Sequence, residues 1–308
     1  MSLMEPPAGI RSLTPHPREL DWANLSLPST WPDLNRSSPR SLVRLLLHPL
    51  RRRRRVSIPS DLWGKETIPG YVLQEFHNLP NGNYSNFLTR GYSSGFDLSM
   101  LGRMQGVRSI LASHLRHCES VLDLGCGGGA TAAAIKASGV GDAWGLDPSP
   151  YLLRHAARDH PGIRFVHGVM EDLPFPDARF DGISVCFAFH EMPPARIREA
   201  LKEISRVLKP GGLLLVAEPS PLQFECSFVD MVRSHGWRGG YFRLLVRLVH
   251  EPYLEKWHGV SVAEEAREAA LHVVTPRGQL VHILGLGESA EALALASTLA
   301  PDAVRGMP

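Results

Sequence analysis

Glycines near the middle of the chain have the spacing of a ligand-binding turn. Residues 121–131 read VLDLGCGGGAT, an apolar run typical of a buried strand that passes into glycines and then into a helix start. A strand, a glycine turn and a helix N-terminus let a ligand approach bare backbone N–H groups. The sequence therefore predicts a ligand site at Gly125, Cys126, Gly127 and Gly128.

This turn fits two classes of ligand. The glycines match the G-x-G-x-x-A form of a dinucleotide-binding turn, which Ala130 completes, and Asp147 follows at about the distance of a ribose contact. Asp123 favours a different ligand, because a carboxylate at the strand end repels phosphates and attracts an ammonium or sulfonium group. Asp147 could instead cap the helix after Pro148, since Asp-Pro-Ser is a good helix start.

Two further segments follow the turn in order, LPFPDARFDGISV at 173–185 and LKPGGLLLVAEP at 208–219. With the glycine turn they resemble the class I S-adenosylmethionine-dependent methyltransferases, and within them the branch that includes the ubiquinone and menaquinone C-methyltransferases. The resemblance covers roughly residues 117–219 and implies S-adenosylmethionine as cofactor and a small-molecule methyl acceptor. Two other classes remain alternatives, an NAD(P)-dependent oxidoreductase and a catalytically silent cofactor-fold protein used for interaction.

The resemblance implies which residues contact the cofactor. Asp123 and the glycine turn face its amino acid and sulfonium end, and Asp147 faces the ribose hydroxyls. The adenine end lies near Met170 and Glu171, whose backbone N–H groups could pair with a ring nitrogen. Related sequences have an acid at the position of Val169, so Glu171 or Asp172 is a candidate for the missing acceptor. The remaining implied contacts are Pro148, Cys186 and Phe187.

The methyl acceptor is expected to lie near His190, at the end of the fourth strand. Methyl transfer from a sulfonium needs a base only where the acceptor must lose a proton. His190 titrates near neutral pH and could be that base, with Glu191 orienting it, or it could pack the helix that starts near Pro193. No Cys or His spacing typical of a metal site occurs, so none is predicted.

Strand and helix patterns alternate through the core, which predicts an α/β, Rossmann-like sheet with helices on both faces. The family resemblance implies seven mostly parallel strands, and an N-terminal helical cap is expected before them. The ligand should lie at the carboxyl ends of the strands. Five strands are predicted at 121–125, 143–147, 163–167, 181–187 and 213–217, and two more in a hairpin at 271–286. The helices between the first five strands are predicted at 130–137, 151–159 and 195–208.

The chain divides into four segments. Residues 1–60 are rich in Pro, Ser and Arg and are expected to be largely mobile, 61–116 form the cap, 117–288 the core and 289–308 a tail of unknown role. Arg51–Arg55 follow an apolar segment and could contact an anionic membrane, although a solvated tail, a packed helix or an organellar transit peptide also fits. The cap residues considered for substrate contact are Tyr84, Phe87, Arg90 and Tyr92.

Composition narrows the functional classes. The chain has 308 residues, 44% hydrophobic and 21% charged, which is typical of a globular protein. A net charge of +2 gives no indication of a nucleic-acid partner. The four cysteines are scattered, no apolar run of about 18 residues occurs, and a secretory signal is not expected. A cytoplasmic protein with free thiols is expected, with membrane association left open and the oligomeric state unknown.

Overall fold

A computed structural model describes most of the chain. It covers residues 20–33, 55–219, 222–249 and 251–260, together with the isolated residues Pro39, Val43, Leu47, His48, Glu265, Glu268 and Ala269. Within them the chain folds as an α/β protein around one parallel sheet of five strands in the order β3-β2-β1-β4-β5. This fold class agrees with the sequence-based prediction.

The strands lie where apolar runs are bounded by turn residues. They are β1 (Ser120–Leu124), β2 (Asp142–Asp147), β3 (Arg164–His167), β4 (Phe180–Cys186) and β5 (Leu208–Ala217). The strand order changes direction between β1 and β4, so the carboxyl ends of these two strands open a crevice. The glycine turn and the segment after β4 both meet this crevice.

Eight α-helices surround the sheet in the described residues. They are α1 (Tyr92–Ser99), α2 (Met104–Leu115), α3 (Ala130–Ala137), α4 (Pro150–Asp159), α5 (Pro194–Val207), α6 (Leu222–Glu225), α7 (Phe228–Val249) and α8 (Leu254–His258). Helix α7 is broken at Gly236, whose φ of 64° and ψ of −160° are not helical.

Both faces of the sheet are covered by helices. On one face, the apolar stripe of α5 that includes Ile197 and Ile204 packs over Leu122 and its neighbours. On the other face, α2, α3 and α4 pack over a cluster that includes Val121 and Phe165. Adjacent residues such as Val121 and Leu122 point to opposite faces, as they must in a strand. The sheet is therefore buried on both sides, which holds its carboxyl edge in place.

The predicted number of strands is not reproduced. The structure has five strands in the part of the chain that it describes, where the sequence analysis predicts seven. The hairpin predicted at 271–286, which would supply the other two, lies outside the described residues, as do the tail at 289–308 and Arg51–Arg54.

Residues 20–33 are packed against the sheet, whereas the sequence analysis predicts a largely mobile segment there. Trp22 is buried, and its Nε1–H donates to the carbonyl oxygen of Phe165 at 2.8 Å. Its ring makes an edge contact with Trp63, with centroids 5.3 Å apart. The composition of the segment is that of a mobile chain, but one tryptophan anchors it to β3 at the edge of the described sheet.

A Trp22→Phe variant should lower the free energy of unfolding by about 1–2 kcal/mol, because it removes a buried donor and leaves its acceptor unpaired. Urea unfolding followed by far-ultraviolet circular dichroism would measure the change. Trp63→Phe is the matched control, since Trp63 is 45% exposed and its replacement should cost less than about 0.5 kcal/mol. Equal stability of Trp22→Phe and the unmodified protein would show that this anchor contributes nothing.

The predicted helical cap contains α-helix only from Tyr92 onward. Between residues 61 and 91 the chain forms turns and three short 3-10 helices, Lys65–Thr67, Phe76–Asn78 and Thr89–Gly91. Asparagine and glycine in this stretch favour turns over helices. Among the described residues, no helix is both long enough and apolar enough to span a bilayer.

Candidate active site

The glycine turn after β1 has the backbone conformation that its sequence predicts. Gly125, Gly127 and Gly129 have φ values of 66°, 53° and 81°, in the left-handed region that favours glycine. A Cβ added at Gly125 would lie 2.6 Å from the Cβ of Ala188 and 2.9 Å from the Cε of Met170. Glycine is therefore required there both by the turn and by the close approach of the segment after β4.

Asp147, the last residue of β2, is directed at the glycine turn. Its Oδ2 accepts a hydrogen bond from the N–H of Gly127 at 2.9 Å, and its Oδ1 accepts one from the N–H of Ser149 at 2.8 Å. The N-cap of α4 is Ser149, not Asp147, because the Ser149 hydroxyl accepts from the N–H of Leu152. Burial raises the pKa of the Asp147 carboxyl to about 7. Asp147 therefore presents a buried carboxyl beside the turn.

Asp123 lies beneath the turn and not on its open side. It is fully buried, and its Oδ1 accepts a hydrogen bond from the Ser184 hydroxyl at 2.6 Å. Burial raises the pKa of Asp123 to about 7, although the hydrogen bond from Ser184 opposes that rise. Asp123 is not among the residues that line the three cavities near the turn, so any influence on a ligand there would be electrostatic.

Helix α1 begins directly over the glycine turn. The Oγ of Ser93 lies 2.0 Å from where a Cβ on Gly128 would be, and the Cε1 of Tyr92 lies 3.2 Å from the same position on Gly127. The two spaces that remain beside the turn have volumes of about 70 and 60 Å³. Ligand pockets are commonly about 300 Å³ or larger, so Tyr92 and Ser93 must shift before a cofactor can enter.

Met170 and Glu171 are the two residues predicted for the adenine side of the turn, and only Met170 lines a space there. Met170 is buried, and it lines the larger of the two small spaces together with Asp147 and Pro148. Glu171 lines neither space, because both of its carboxylate oxygens lie 2.9 Å from the hydroxyl of Tyr71, which donates to them. The Glu171 side chain is therefore already engaged by the cap.

Phe187, the residue that follows β4, has a strained backbone conformation. Its φ is 57°, which is rare for a bulky residue, and its N–H donates to the carbonyl oxygen of Ala217 in β5 at 2.8 Å. The side chain lines all three cavities near the turn. Its neighbour Cys186 lines the smallest of them, and burial raises the pKa of that thiol to about 12. Phe187 therefore lies where the cavities converge.

His190 is held by Glu218 and not by Glu191, the partner that the sequence analysis considers. Its Nδ1 lies 2.5 Å from the Oε2 of Glu218, and both side chains are buried. The Oε1 of Glu218 also accepts the N–H groups of Ala188 and Phe189, at 2.9 and 2.7 Å. Burial lowers the pKa of His190, but the Glu218 carboxylate outweighs that effect and raises it above the ordinary value. Glu218 thus fixes both the turn after β4 and the imidazole ring.

Glu191 belongs to a second cluster. Its Oε1 lies 3.0 Å from the Nε2 of His77, and the Nδ1 of His77 lies 3.0 Å from the Oε1 of Glu251. Burial opposes a charge on His77, yet Tyr92 and the two carboxylates raise its pKa well above 6.5. These His and Glu ligand atoms lie within 4.8 Å of one another, close enough for a metal ion. Because both ring nitrogens face carboxylates, we interpret the cluster as a hydrogen-bonded imidazolium.

A larger cavity, called here the apolar cavity, opens next to this cluster. It has a volume of about 360 Å³, and His77, His190 and Glu251 lie in its wall. The other lining side chains are mostly apolar and come chiefly from α1, α7 and the start of α8, among them Phe96, Met100, Phe242, Leu245, Val246 and Leu254. Its walls suit an apolar body with a polar group directed at the histidines.

Arg108 of α2 is a buried cation that the sequence analysis does not single out. Its Nη1 and Nη2 donate to the carboxylate of Asp97 at 2.8 and 2.7 Å. Its Nε is buried and has no hydrogen-bond partner. The residue lines the small space that Gly127 and Gly128 also line. A buried guanidinium beside the glycine turn is suited to hold an anionic group there.

Most of the residues predicted for the site surround the same crevice. Asp123 and Glu171 are the exceptions, because neither lines a cavity. Of the four cap residues considered for substrate contact, Tyr92 lines all three cavities and Tyr84 lines one, whereas Phe87 and Arg90 are exposed. The predicted residues that line the two small spaces are Gly125, Cys126, Gly127, Gly128, Asp147, Pro148, Met170, Cys186, Phe187, His190 and Glu191.

Known proteins resemble the part of the chain that builds this site. A family model described as a methyltransferase domain matches residues 121–212. An uncharacterized methyltransferase of Synechocystis is 40% identical over 39% of this chain and 50% of its own length. A demethylmenaquinone methyltransferase of Beutenbergia cavernae is 35% identical over 42% of this chain and 54% of its own length. The chain spans about half the length of these curated relatives.

Among solved structures, an amino pentose methyltransferase from Micromonospora echinaspora, solved with S-adenosylmethionine bound, is 28% identical. The similarity covers 37% of this chain and 50% of that one, with a TM-score of 0.34. The family match itself runs from β1 through the glycine turn to the start of β5. Residues 121–212 are thus similar to a methyltransferase domain, and the relatives that share this segment are named as methyltransferases.

Proposed function

We propose that this chain transfers a methyl group from S-adenosylmethionine to a small acceptor with an aromatic, quinone-like body. One observation carries the proposal: the apolar cavity and the two small spaces beside the glycine turn share Tyr92 and Phe187 in their walls. An acceptor in the apolar cavity and a cofactor on the turn would therefore meet at these two side chains.

The residues beside the turn fit this cofactor. The glycines leave the turn without side chains, Asp147 offers carboxylate oxygens to paired hydroxyls, and Arg108 offers an unpartnered N–H to a carboxylate. When bound, S-adenosylmethionine supplies a methyl group that its sulfonium already activates. The protein then contributes alignment of the two partners and exclusion of water.

Arg108 provides a test of the cofactor's orientation. Arg108→Met should raise the Kd for S-adenosylhomocysteine about 10–100-fold, the range for a lost hydrogen bond to a charged group. Isothermal titration calorimetry would measure it, with Arg103→Met as the matched control. Methylthioadenosine lacks the amino acid end, so its affinity should be unaffected by Arg108→Met. An equal loss for both ligands would place Arg108 elsewhere than at the carboxylate.

The acceptor class follows from the walls of the apolar cavity. Aromatic and aliphatic side chains such as Phe96 and Phe242 would bury a flat ring, while His190 lies where a ring hydroxyl could be directed. His190, oriented by Glu218, would accept the proton that an O–H or C–H acceptor must lose. The names of several relatives, demethylmenaquinone methyltransferases, agree with a quinone-like ring.

The proposal is tested by activity with the full chain. Purified protein, S-adenosylmethionine labelled in its methyl group, and a panel of hydroquinones, phenols and aliphatic amines would be incubated and the products analysed by mass spectrometry. We expect label in the ring-bearing acceptors and little in the amines. Thermal stabilisation by NAD(P) with none by S-adenosylhomocysteine would instead favour an oxidoreductase.

A further inference from the structure

The second half of α7, residues 237–249, carries apolar residues on two opposite faces. Its inner face includes Val246, which is buried and lines the apolar cavity. Its outer face includes Trp237, Leu244 and Leu248, which are 65%, 51% and 71% exposed. With 3.6 residues per turn, these three side chains fall within about 40° of one another around the helix axis. We call them the outer stripe.

Arginines lie along both sides of the outer stripe. Arg238 and Arg247 are exposed, and the helical period places them roughly 100° and 80° from Trp237 in opposite directions. The guanidinium of Arg238 lies 5.5 Å from the centre of the Trp237 ring. Residues 237–249 contain three arginines and no acidic residue. An exposed apolar stripe with cations on both sides is typical of helices that lie in the interface of an anionic membrane.

We propose that the outer stripe docks on an anionic lipid surface. Trp237, Leu244 and Leu248 would enter the headgroup and upper acyl region, and Arg238 and Arg247 would contact lipid phosphates. A protein partner fits less well, because three side chains on one helix cover far less than the roughly 800 Å² per partner of a standard interface. A lipid surface needs no shape that matches the helix, and its anionic headgroups complement the charges of Arg238 and Arg247 on the two sides of the outer stripe.

This docking does not depend on the proposed reaction, but the two are compatible. The wall that separates the outer stripe from the apolar cavity is α7 itself, since its inner side chains line that cavity. Docking through the outer stripe would therefore hold the apolar cavity close to the bilayer. An acceptor that partitions into lipid could then reach the cavity without crossing water.

Vesicle co-sedimentation of the full chain tests the proposal. Vesicles of phosphatidylcholine alone would be compared with vesicles of phosphatidylcholine and phosphatidylglycerol. Leu244→Ser/Leu248→Ser should lower the partition coefficient at least about tenfold, since two exposed leucines no longer enter the apolar region. Arg238→Gln/Arg247→Gln should lower it about 25-fold on anionic vesicles only, at about fivefold for each arginine. Thermal unfolding would verify that each variant is folded.

The control is Phe87→Ser, which should not change vesicle binding. Phe87 is an exposed aromatic residue, and its neighbour Asn86 contacts α4 at the other edge of the sheet. A third variant, with Arg51–Arg55 changed to Gln, separates the contribution of these arginines to vesicle binding from that of the outer stripe. The proposal is overturned if the full chain does not bind anionic vesicles, or if only the Arg51–Arg55 variant loses binding. It is also overturned if Leu244→Ser/Leu248→Ser disrupts a dimer in sedimentation velocity while vesicle binding is unchanged.

Discussion

Asp147→Ala is expected to raise the Kd for S-adenosylhomocysteine by about 5–150-fold, or about 1–3 kcal/mol. The carboxylate closes β2 beside the glycine turn, where it accepts the N–H groups of Gly127 and Ser149. Its remaining lone pairs are the acceptors available for the paired hydroxyls of a ribose. Calorimetry that gave the same affinity for Asp147→Ala and the unmodified protein would remove Asp147 from the cofactor site.

The same residue makes the affinity depend on pH. Burial raises the pKa of Asp147 to about 7, so its carboxyl is protonated below that pH and accepts hydrogen bonds less well. Affinity for S-adenosylhomocysteine should therefore fall as the pH is lowered from 8 to 6. Asp123 has a pKa of about 7 as well, but it does not line the site. In Asp147→Asn the dependence should largely disappear, and any slope that persists would belong to another titrating group near the turn, Asp123, His77 or His190.

His190→Ala is expected to lower kcat by about 10²–10⁴-fold for an acceptor that must lose a proton, the usual contribution of a general base. The imidazole is buried, its Nδ1 is engaged by Glu218, and it lines the apolar cavity. The Kd for S-adenosylhomocysteine should change much less than kcat. A kcat that is unchanged in His190→Ala would show that alignment alone drives the reaction.

Glu218→Gln separates the orienting role from simple packing. In the unmodified protein, Glu218 raises the pKa of His190 above 6.5, so the neutral base and hence the activity should increase as the pH rises through that raised value. Without the carboxylate, His190 loses its strongest pKa-raising partner while burial still lowers the pKa, so the acid limb of the pH–kcat profile should move to lower pH. Glu191→Gln is the matched control and should move the acid limb less, because Glu191 raises the pKa of His190 less than Glu218 does and its own contact is His77. A Glu218→Gln profile with an unmoved acid limb would contradict the assignment.

The local part of the site could be predicted from the sequence because its signals are local. Glycines at alternate positions after an apolar run fix a left-handed turn, and Asp147 ends the next strand only 20 residues after Gly127. The alternation of strands and helices then places both at the carboxyl edge of a parallel sheet. Bounds for the five observed strands differ from those predicted chiefly at the ends, where local signals are weakest.

Residues that meet through the fold could not be found in this way. Glu218 is 28 residues from His190, and His77 is 174 residues from Glu251. Glu218 did carry one usable signal, since it is an acid at the carboxyl end of β5, the position that made Asp147 a candidate in β2. Proximity in the sequence favours the nearer acid, Glu191, as the partner of His190.

By itself, the sequence determined the α/β class, the glycine turn and the carboxylate that closes the second strand, because each depends on backbone conformation and hydrophobic period over a few residues. Only the tertiary structure decided that Trp22 anchors residues 20–33, that Glu218 holds His190, and that α7 lines a cavity on one face while exposing an apolar stripe on the other. Those features depend on which distant surfaces pack together, and packing is set by the whole chain.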